Sequence, residues 1–309
     1  MSRVLVTGGA GFIGSHLVDL LLLEGDEIAV LDDLSTGDLN NLDQKKIKFF
    51  NGDIRDKKIL LEALKGVDIV FHLAAVISVQ ESLDNPRKYF EINTIGTLNL
   101  LECAVESKAS KIIYLNSASI YESNEKEKTN ESMPLNPLNP YAISKLDGEY
   151  LIKMFCKSSG MNYCVLRVFN PYGNRQNENG AISIFLNRAL GNADINIFGD
   201  GKQIRDFIHV TDVARAACLC KSKGAGVYNV GRGEGISLKE LIEKIVHITG
   251  SNSKIVYKEG QKGEVRYSVA DIPKINRDLK WQPSVSLEAG VKQMIIEANK
   301  RKEKELCLK

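Results

Sequence analysis

The sequence predicts an α/β protein, a doubly wound parallel sheet joined to a smaller C-terminal α/β lobe. Three observations carry this. Short apolar runs rich in β-branched residues alternate with helical patterns through the first half of the chain, a glycine-rich turn links the first run to the first helix, and the alternation loosens after about residue 170. In order, the runs are RVLVT, EIAVLD, IKFF, DIVFHLA, KIIYLNS and YCVLRVF. Strands this apolar on both faces belong in a parallel sheet covered by helices, because a half-solvated strand would alternate with polar residues. Beyond them NPYGNRQNENG has the composition of a loop, and the helical patterns SLKELIEKIVHITG and LEAGVKQMIIEANK come with few strands between them. The polar stretch ESNEKEKTNES, residues 122–132, reads as a solvated loop. No internal repeat is visible.

Composition narrows the function. A chain of 309 residues that is 43% hydrophobic can fill a large core, and two lobes are expected because single cores stop growing at about 250–300 residues. Lys plus Arg number 41 against 39 Asp plus Glu. No basic field therefore favours nucleic acid, and a small molecule is the expected partner. The six cysteines, at 103, 156, 164, 218, 220 and 307, lack C-x-x-C spacing, and the four histidines are scattered; no metal is expected, and reduced thiols predict a cytoplasmic setting. The chain runs from Met1 directly into a strand pattern, and Asp19 interrupts LVDLLLLEG. Neither secretion nor membrane spanning is expected.

RVLVTGGAGFIGSHLVDLLLLEG sets a strand, a glycine turn and an amphipathic helix in succession. Glycines 9, 11 and 14 fit G-x-G-x-x-G, and glycines 8, 11 and 14 fit G-x-x-G-x-x-G. Such a turn needs unusual backbone angles, lets the main chain approach a pyrophosphate and packs the helix tightly on the strand. The N–H groups near Phe12 and Ile13 would then face the phosphates along the helix dipole. Asp32 ends the second strand, 18 positions after Gly14, where a carboxylate accepts both ribose hydroxyls and repels a 2′-phosphate. The sheet is therefore expected to be Rossmann-type, with NAD favoured over NADP.

PLNPYAISKLDGEYLIKMF reads as a helix with Asn139 as N-cap, Pro140 at its first position and Tyr141 just inside. Tyr141 and Lys145 share one face. A phenol is a poor base at neutral pH unless its phenolate is stabilised, which Lys145 one turn away and the positive nicotinamide ring could do. Ser117, in NSASIY at a strand end, stands where ligands of doubly wound sheets bind and could share a substrate oxygen with Tyr141. His16 and His209 read as structural histidines with satisfied rings, His72 as part of a strand end on the cofactor side, Cys218 and Cys220 as core thiols and Trp281 as packing.

TGGAGFIG at 7–14, GDIRD at 52–56, HLAA at 72–75, Asn93 in EINTIGT, and Ser117, Tyr141 and Lys145 together resemble the extended short-chain dehydrogenase/reductase family, in particular its nucleotide-sugar epimerases and dehydratases. The resemblance runs on through LRVFNPYGNRQ, IFGDGKQIRDFIHVTDVA and GEVRYSVADIPKINRDLKWQP, nearly the whole chain. It implies an NAD-binding domain over 1–170 with a return segment at about 206–232, and a nucleotide-sugar lobe from 171–205 and 233–309. It places Asp53 and Ile54 at the adenine, Leu73, Ala74, Ala75 and Asn93 along the cofactor, and Asn170 and Arg205 at the substrate diphosphate. It also implies a homodimer through the helix of Tyr141 and the preceding PRKYFEINTIGTLNLLECAVESK.

Dehydratases of the family carry an Asp-Glu pair directly after the serine or threonine, as general acid and base for elimination. Here Ala118 and Ser119 follow Ser117, so the resemblance implies 4-epimerisation of a UDP-hexose through a transient 4-keto sugar. Ser268, three before the Asp of the AD step, is small where a bulky residue would exclude N-acetyl groups, so UDP-N-acetylglucosamine and UDP-N-acetylgalactosamine are expected to fit beside UDP-glucose and UDP-galactose. Gln261 stands where the family has a diphosphate-binding arginine, and Lys262 or Arg266 is expected to take over that charge. Glu122 and Asn116 depart from a glycine and a serine without touching the proposed proton path. The alternatives are a UDP-glucuronate decarboxylase or epimerase, and a sensor that binds NAD or a sugar nucleotide without turnover.

Overall fold

The computed structural model describes residues 1–122, 127–260 and 265–307, with side chains through residue 300. The first half alternates as the apolar runs require: β1 (Arg3–Thr7), α1 (Phe12–Leu23), β2 (Glu27–Asp32), β3 (Ile47–Asn51), α2 (Lys57–Ala63), β4 (Ile69–His72), α3 (Val79–Asp84), α4 (Pro86–Tyr89), α5 (Thr97–Glu106), β5 (Lys111–Ser117), α6 (Pro140–Ser159) and β6 (Asn162–Val168). There follow β7 (Pro171–Tyr172), α7 (Ala181–Leu190), β8 (Ile195–Phe198), β9 (Ile204–Arg205), β10 (Ile208–His209), α8 (Val210–Leu219), β11 (Gly226–Val230), β12 (Ile236–Ser237), α9 (Leu238–Thr249), β13 (Ile255–Lys258), β14 (Tyr267–Ser268), α10 (Pro273–Leu279) and α11 (Leu287–Cys307).

Seven strands form one sheet in the order β11-β6-β5-β4-β1-β2-β3, every neighbouring pair parallel. Strand order reverses between β1 and β4, and a doubly wound sheet opens its binding crevice at such a point. Side-chain alternation splits the core in two: Val4 and Val6 pack with α1, α8 and Trp281 on one face, while Leu5 packs with α2, α5 and α6 on the other. A third core holds the smaller lobe, where α7 and α9 bury Phe185, Leu186, Leu241 and Ile245 around β8 and reach Val291 and Met294 of α11.

Four expectations are corrected. The smaller lobe is not short of strands; β8, β9 and β12–β14 are brief and make sheets of two and three strands. Helix PRKYFEINTIGTLNLLECAVESK runs unbroken but is not α-helical throughout, because Phe90–Gly96 is a π-helical turn between α4 and α5. The polar stretch 122–132 is not simply solvated. Residues 123–126 lie outside the described residues, but Thr129 is buried, donates its N–H to Val269 O at 2.8 Å and accepts from Asp271 N–H at 2.8 Å. Backbone pairing outweighed composition there. His209 is only half satisfied: Nδ1 meets Thr211 Oγ1 at 2.8 Å, and Nε2, buried, has no hydrogen-bond partner.

The other quiet residues hold their places. His16 Nε2 meets Asn174 O at 2.9 Å, Trp281 donates to Asp212 O at 3.1 Å, and the five described cysteines are free and buried. Among the described residues no helix is long and apolar enough to cross a membrane.

Candidate active site

The glycine turn after β1 is forced by contact. Gly8 has φ +69°, and a Cβ on it would stand 2.7 Å from Ala74 N; a Cβ on Gly14 would stand 2.1 Å from Gly8 O. Both positions must be glycine for α1 to sit this close to β1. Gly11 caps α1 without a side-chain acceptor, which leaves the first-turn N–H groups, those of Phe12 and Ile13 among them, aimed outward at the sheet's C-terminal edge. Asp32, at the end of β2, accepts from Ala10 N–H and Leu34 N–H, each at 2.9 Å. Burial raises its pKa against those hydrogen bonds. Asp53 is clasped by Arg55 at 2.6–3.0 Å, which holds its carboxyl below the ordinary value, and the buried Ile54 packs where a Cβ on Gly96 would collide with it. These residues fit NAD: a backbone cradle that any Cβ would fill, helix N–H groups at its rim and a carboxylate at the end of β2.

A buried chain of hydrogen bonds secures the loop after β4. Thr97 Oγ1 donates to Asn93 O at 2.6 Å, so it accepts from His72 Nε2–H at 2.8 Å. His72 Nδ1 must then accept from Thr7 Oγ1, also at 2.8 Å, which fixes the tautomer. Thr7 Oγ1 in turn accepts from Leu73 and Ala74 N–H at 3.3 Å. Burial, then the Lys145 charge, pushes His72 down to about 3, so it stays neutral at physiological pH. The π-helical turn presents Asn93, which bonds both backbone groups of Val76 at 2.9 Å and donates to Ser144 Oγ at 3.0 Å. The loop carrying Leu73, Ala74 and Ala75 is thereby pinned at both ends.

Helix α6 begins as its sequence requires, with Asn139 accepting from Ala142 N–H and Pro140 in the first turn, a cap worth about 1 kcal/mol. Tyr141 is buried, with its ring edge-on to Tyr89. Burial raises the phenol's pKa and its hydrogen bond with Ser117 lowers it. Lys145 Nζ donates to Leu115 O at 2.7 Å and sits 4.1 Å above the Tyr114 ring, whose other neighbour is His72 at 5.4 Å. Burial pushes Lys145 down to about 7. Ser117 Oγ accepts from Ser119 N–H at 3.1 Å, and Ser117 N–H donates to Asn116 Oδ1 at 2.8 Å. The β5 end and the α6 start thus bring Ser117, Tyr141 and Lys145 together.

One more residue on the Tyr141–Lys145 face escaped the sequence reading. Glu149, a further turn along α6, is fully buried and accepts from Asn116 Nδ2 at 2.7 Å and from Arg167 at 2.6 and 3.0 Å. Burial would raise its pKa, but Arg167 with Lys153 brings it below the ordinary value. An ion pair this deep holds α6 in register on β5 and β6, and breaking it by removing one partner costs about 3–5 kcal/mol. The i, i+8 spacing from Tyr141 was its visible signal.

In the smaller lobe, β9 and β14 pair so that Arg205 and Ser268 are register partners, both half-buried. Asn170 Nδ2 donates to Asp206 O at 2.8 Å. Arg266 is exposed and bonds Asp200 at 2.7 Å, away from that cluster's hydrogen bonds. Gln261 and Lys262 lie outside the described residues.

Residues 4–231 match the model of the NAD dependent epimerase/dehydratase family. The UDP-glucose 4-epimerase of Mycolicibacterium smegmatis is 36% identical over 305 residues, covering 95% of this chain and 97% of that protein. The crystal structure of UDP-glucose 4-epimerase with UDP-glucose from Thermotoga maritima superposes with a TM-score of 0.93 at 38% identity, covering 97% of this chain and 99% of that one. UDP-N-acetylglucosamine 4-epimerase of Methanobrevibacter ruminantium, in complex with UDP-N-acetylmuramic acid, gives 0.89 at 34% identity, with 96% and 99% covered. A glycine cradle, a serine–tyrosine–lysine cluster and likeness along nearly the full length lead to one conclusion: this chain belongs to the NAD dependent epimerase/dehydratase family.

Proposed function

We propose that the protein is an NAD-dependent UDP-hexose 4-epimerase. The observation that carries this is the cluster of Ser117, Tyr141 and Lys145 beside the glycine cradle, with Ala118 and Ser119 where an eliminating enzyme needs two acids. Gly8, Gly11, Phe12, Ile13, Gly14 and Asp32 would hold NAD at its phosphates and ribose, Asp53 and Ile54 at its adenine, and Leu73, Ala74, Ala75 and Asn93 along its nicotinamide half. Bound NAD supplies a reversible hydride acceptor, so the sugar is oxidised and reduced at C4 with no net redox change. Tyr141 takes the proton of the 4-hydroxyl and later returns it. Ser117 shares that oxygen and lowers the phenol's pKa. Lys145 supplies the nearby positive charge when protonated. A sensor would have no use for these three side chains together, and a decarboxylase reading has no cation among them committed to a C6 carboxylate.

Ser268 beside Arg205 supports acceptance of N-acetylated sugars, since a short side chain leaves room for an acetamido group. Asn170, Arg205 and Arg266 would hold the diphosphate, Arg266 on release from Asp200. We read 1–170 with 206–232 as the cofactor domain and 171–205 with 233–309 as the substrate lobe, free thiols as fitting a reducing cytoplasm, and the exposed α6 side chains Ile143, Tyr150 and Met154 with Ile95 as a homodimer face. The test is to incubate the purified protein separately with UDP-glucose and UDP-N-acetylglucosamine and resolve products by proton NMR. Both 4-epimers are expected. Conversion of UDP-glucose alone would overturn the Ser268 assignment, and conversion of neither would overturn the epimerase.

A further inference from the structure

Asp206, between β9 and β10, is fully buried, and among the described residues its carboxylate binds only main chain. Oδ1 accepts from Arg232 N–H at 2.7 Å, and Oδ2 from Gly233 N–H at 2.8 Å and Ala270 N–H at 3.1 Å. Gly231 leaves room for it, since a Cβ there would lie 2.6 Å from Oδ2. The peptide of Asp206 is used at both ends as well: its N–H donates to Ser268 O at 2.9 Å, and its carbonyl accepts from Asn170 Nδ2 at 2.8 Å. Arg205 is its neighbour in the chain. Each substrate-side residue of the cluster is therefore one bond from Asp206, while Arg232 and Gly233 continue directly from β11 of the large sheet.

We propose that Asp206 is a positioning residue that fastens Asn170, Arg205 and Ser268 to the sheet carrying the chemistry, and so sets affinity for the nucleoside diphosphate sugar. This rests on the UDP-hexose reading above. The carboxylate suits the task because it only accepts; an amide of the same shape would turn an NH2 toward N–H donors, leaving buried groups unmatched. Burial pushes Asp206 up to about 6, opposed by the three N–H groups and the Arg232 charge. Arg232 is the facing charge from the β11 side, its own guanidinium held by Glu234 and Val285 O. Arg205, the last residue of β9, has Nη1 on Ile204 O, and Asp271 follows Ala270 on the β14 side. As pH falls through about 6 the carboxylate gains a proton and loses acceptor capacity, and the substrate side loosens.

The experiment compares wild type with Asp206→Asn using UDP-glucose, whose diphosphate does not titrate in this range. The variant is expected to raise KM about tenfold with kcat within about twofold, a loss of binding rather than of chemistry, and NAD content per chain is expected to stay the same. Wild-type KM is expected to rise below about pH 6, and that of the variant to stay flat. A variant that loses kcat at unchanged KM, or that keeps the wild-type pH dependence of KM, would overturn the proposal. Should Asp206→Asn fail to fold, UDP-glucose affinity of wild type by calorimetry decides: a value constant from about pH 5 to 7 is incompatible with a titrating anchor. Should wild type bind UDP-glucose without converting it, the epimerase reading falls, and the same calorimetric pH series, run on both proteins, still decides the role of Asp206.

Discussion

As the proposed base, Tyr141 starts at a disadvantage, because its burial favours the neutral phenol against the hydrogen bond with Ser117. Removing that bond in Ser117→Ala raises the tyrosine's pKa. A phenolate-dependent step then needs a higher pH, so the acid limb of the kcat–pH profile is expected to move upward and turnover at neutral pH to fall about 100-fold. Tyr141→Phe removes the proton acceptor itself and is expected to cost about 10²–10⁴ in kcat with NAD still bound. A Ser117→Ala profile superimposable on wild type would detach Ser117 from the proton path. Tyr141, Lys145, Ser117 and Asp32 were legible in sequence because each is marked by local context, a capped helix or a strand end. Asp206 and Glu149 were not, and His72 was read only as a strand end on the cofactor side, since what they do depends on partners brought from distant segments.

At the scale of the element, α6 is seated by an absence. Gly148 faces Tyr114, and a Cβ there would lie 2.5 Å from the Tyr114 hydroxyl. That hydroxyl donates to Lys145 O at 3.3 Å, and the ring lies beneath Lys145 Nζ. In an exposed helix Gly→Ala would stabilise by about 1 kcal/mol; here overpacking of about 1–3 kcal/mol is expected to reverse the sign. Gly148→Ala should lower stability in urea titration and lower kcat with it as Lys145 moves, and a gain in stability would show that Tyr114 withdraws freely. The start of α6 was readable from Asn139 and Pro140. The π-helical turn was not: no proline or glycine marks its beginning at Phe90, and its extra residue is justified only by the reach of Asn93 to Val76. Thr129 was likewise hidden in a charged stretch whose composition says nothing of the backbone bridge to Ala270 that captures it.

For the whole molecule, Ile143, Tyr150 and Met154 make an exposed apolar stripe on α6 at helical spacing, next to Ile95. Met154→Lys places a charge on this stripe and is expected to convert a homodimer to monomer in sedimentation equilibrium at micromolar concentration; a wild type already monomeric there would remove the dimer. The parallel sheet was foreseeable from its apolar runs, whereas the pairing of the short strands was not, because strands of two residues carry no periodicity. One consequence lies in the placement of β11 beside β6. The strand that completes the large sheet is made only after the chain has left for the smaller lobe and come back. During synthesis, therefore, the nascent first half emerges with Asn162–Val168 as an open hydrogen-bonding edge, and until Gly226–Val230 leaves the ribosome neighbouring unfinished chains offer that edge its nearest substitute.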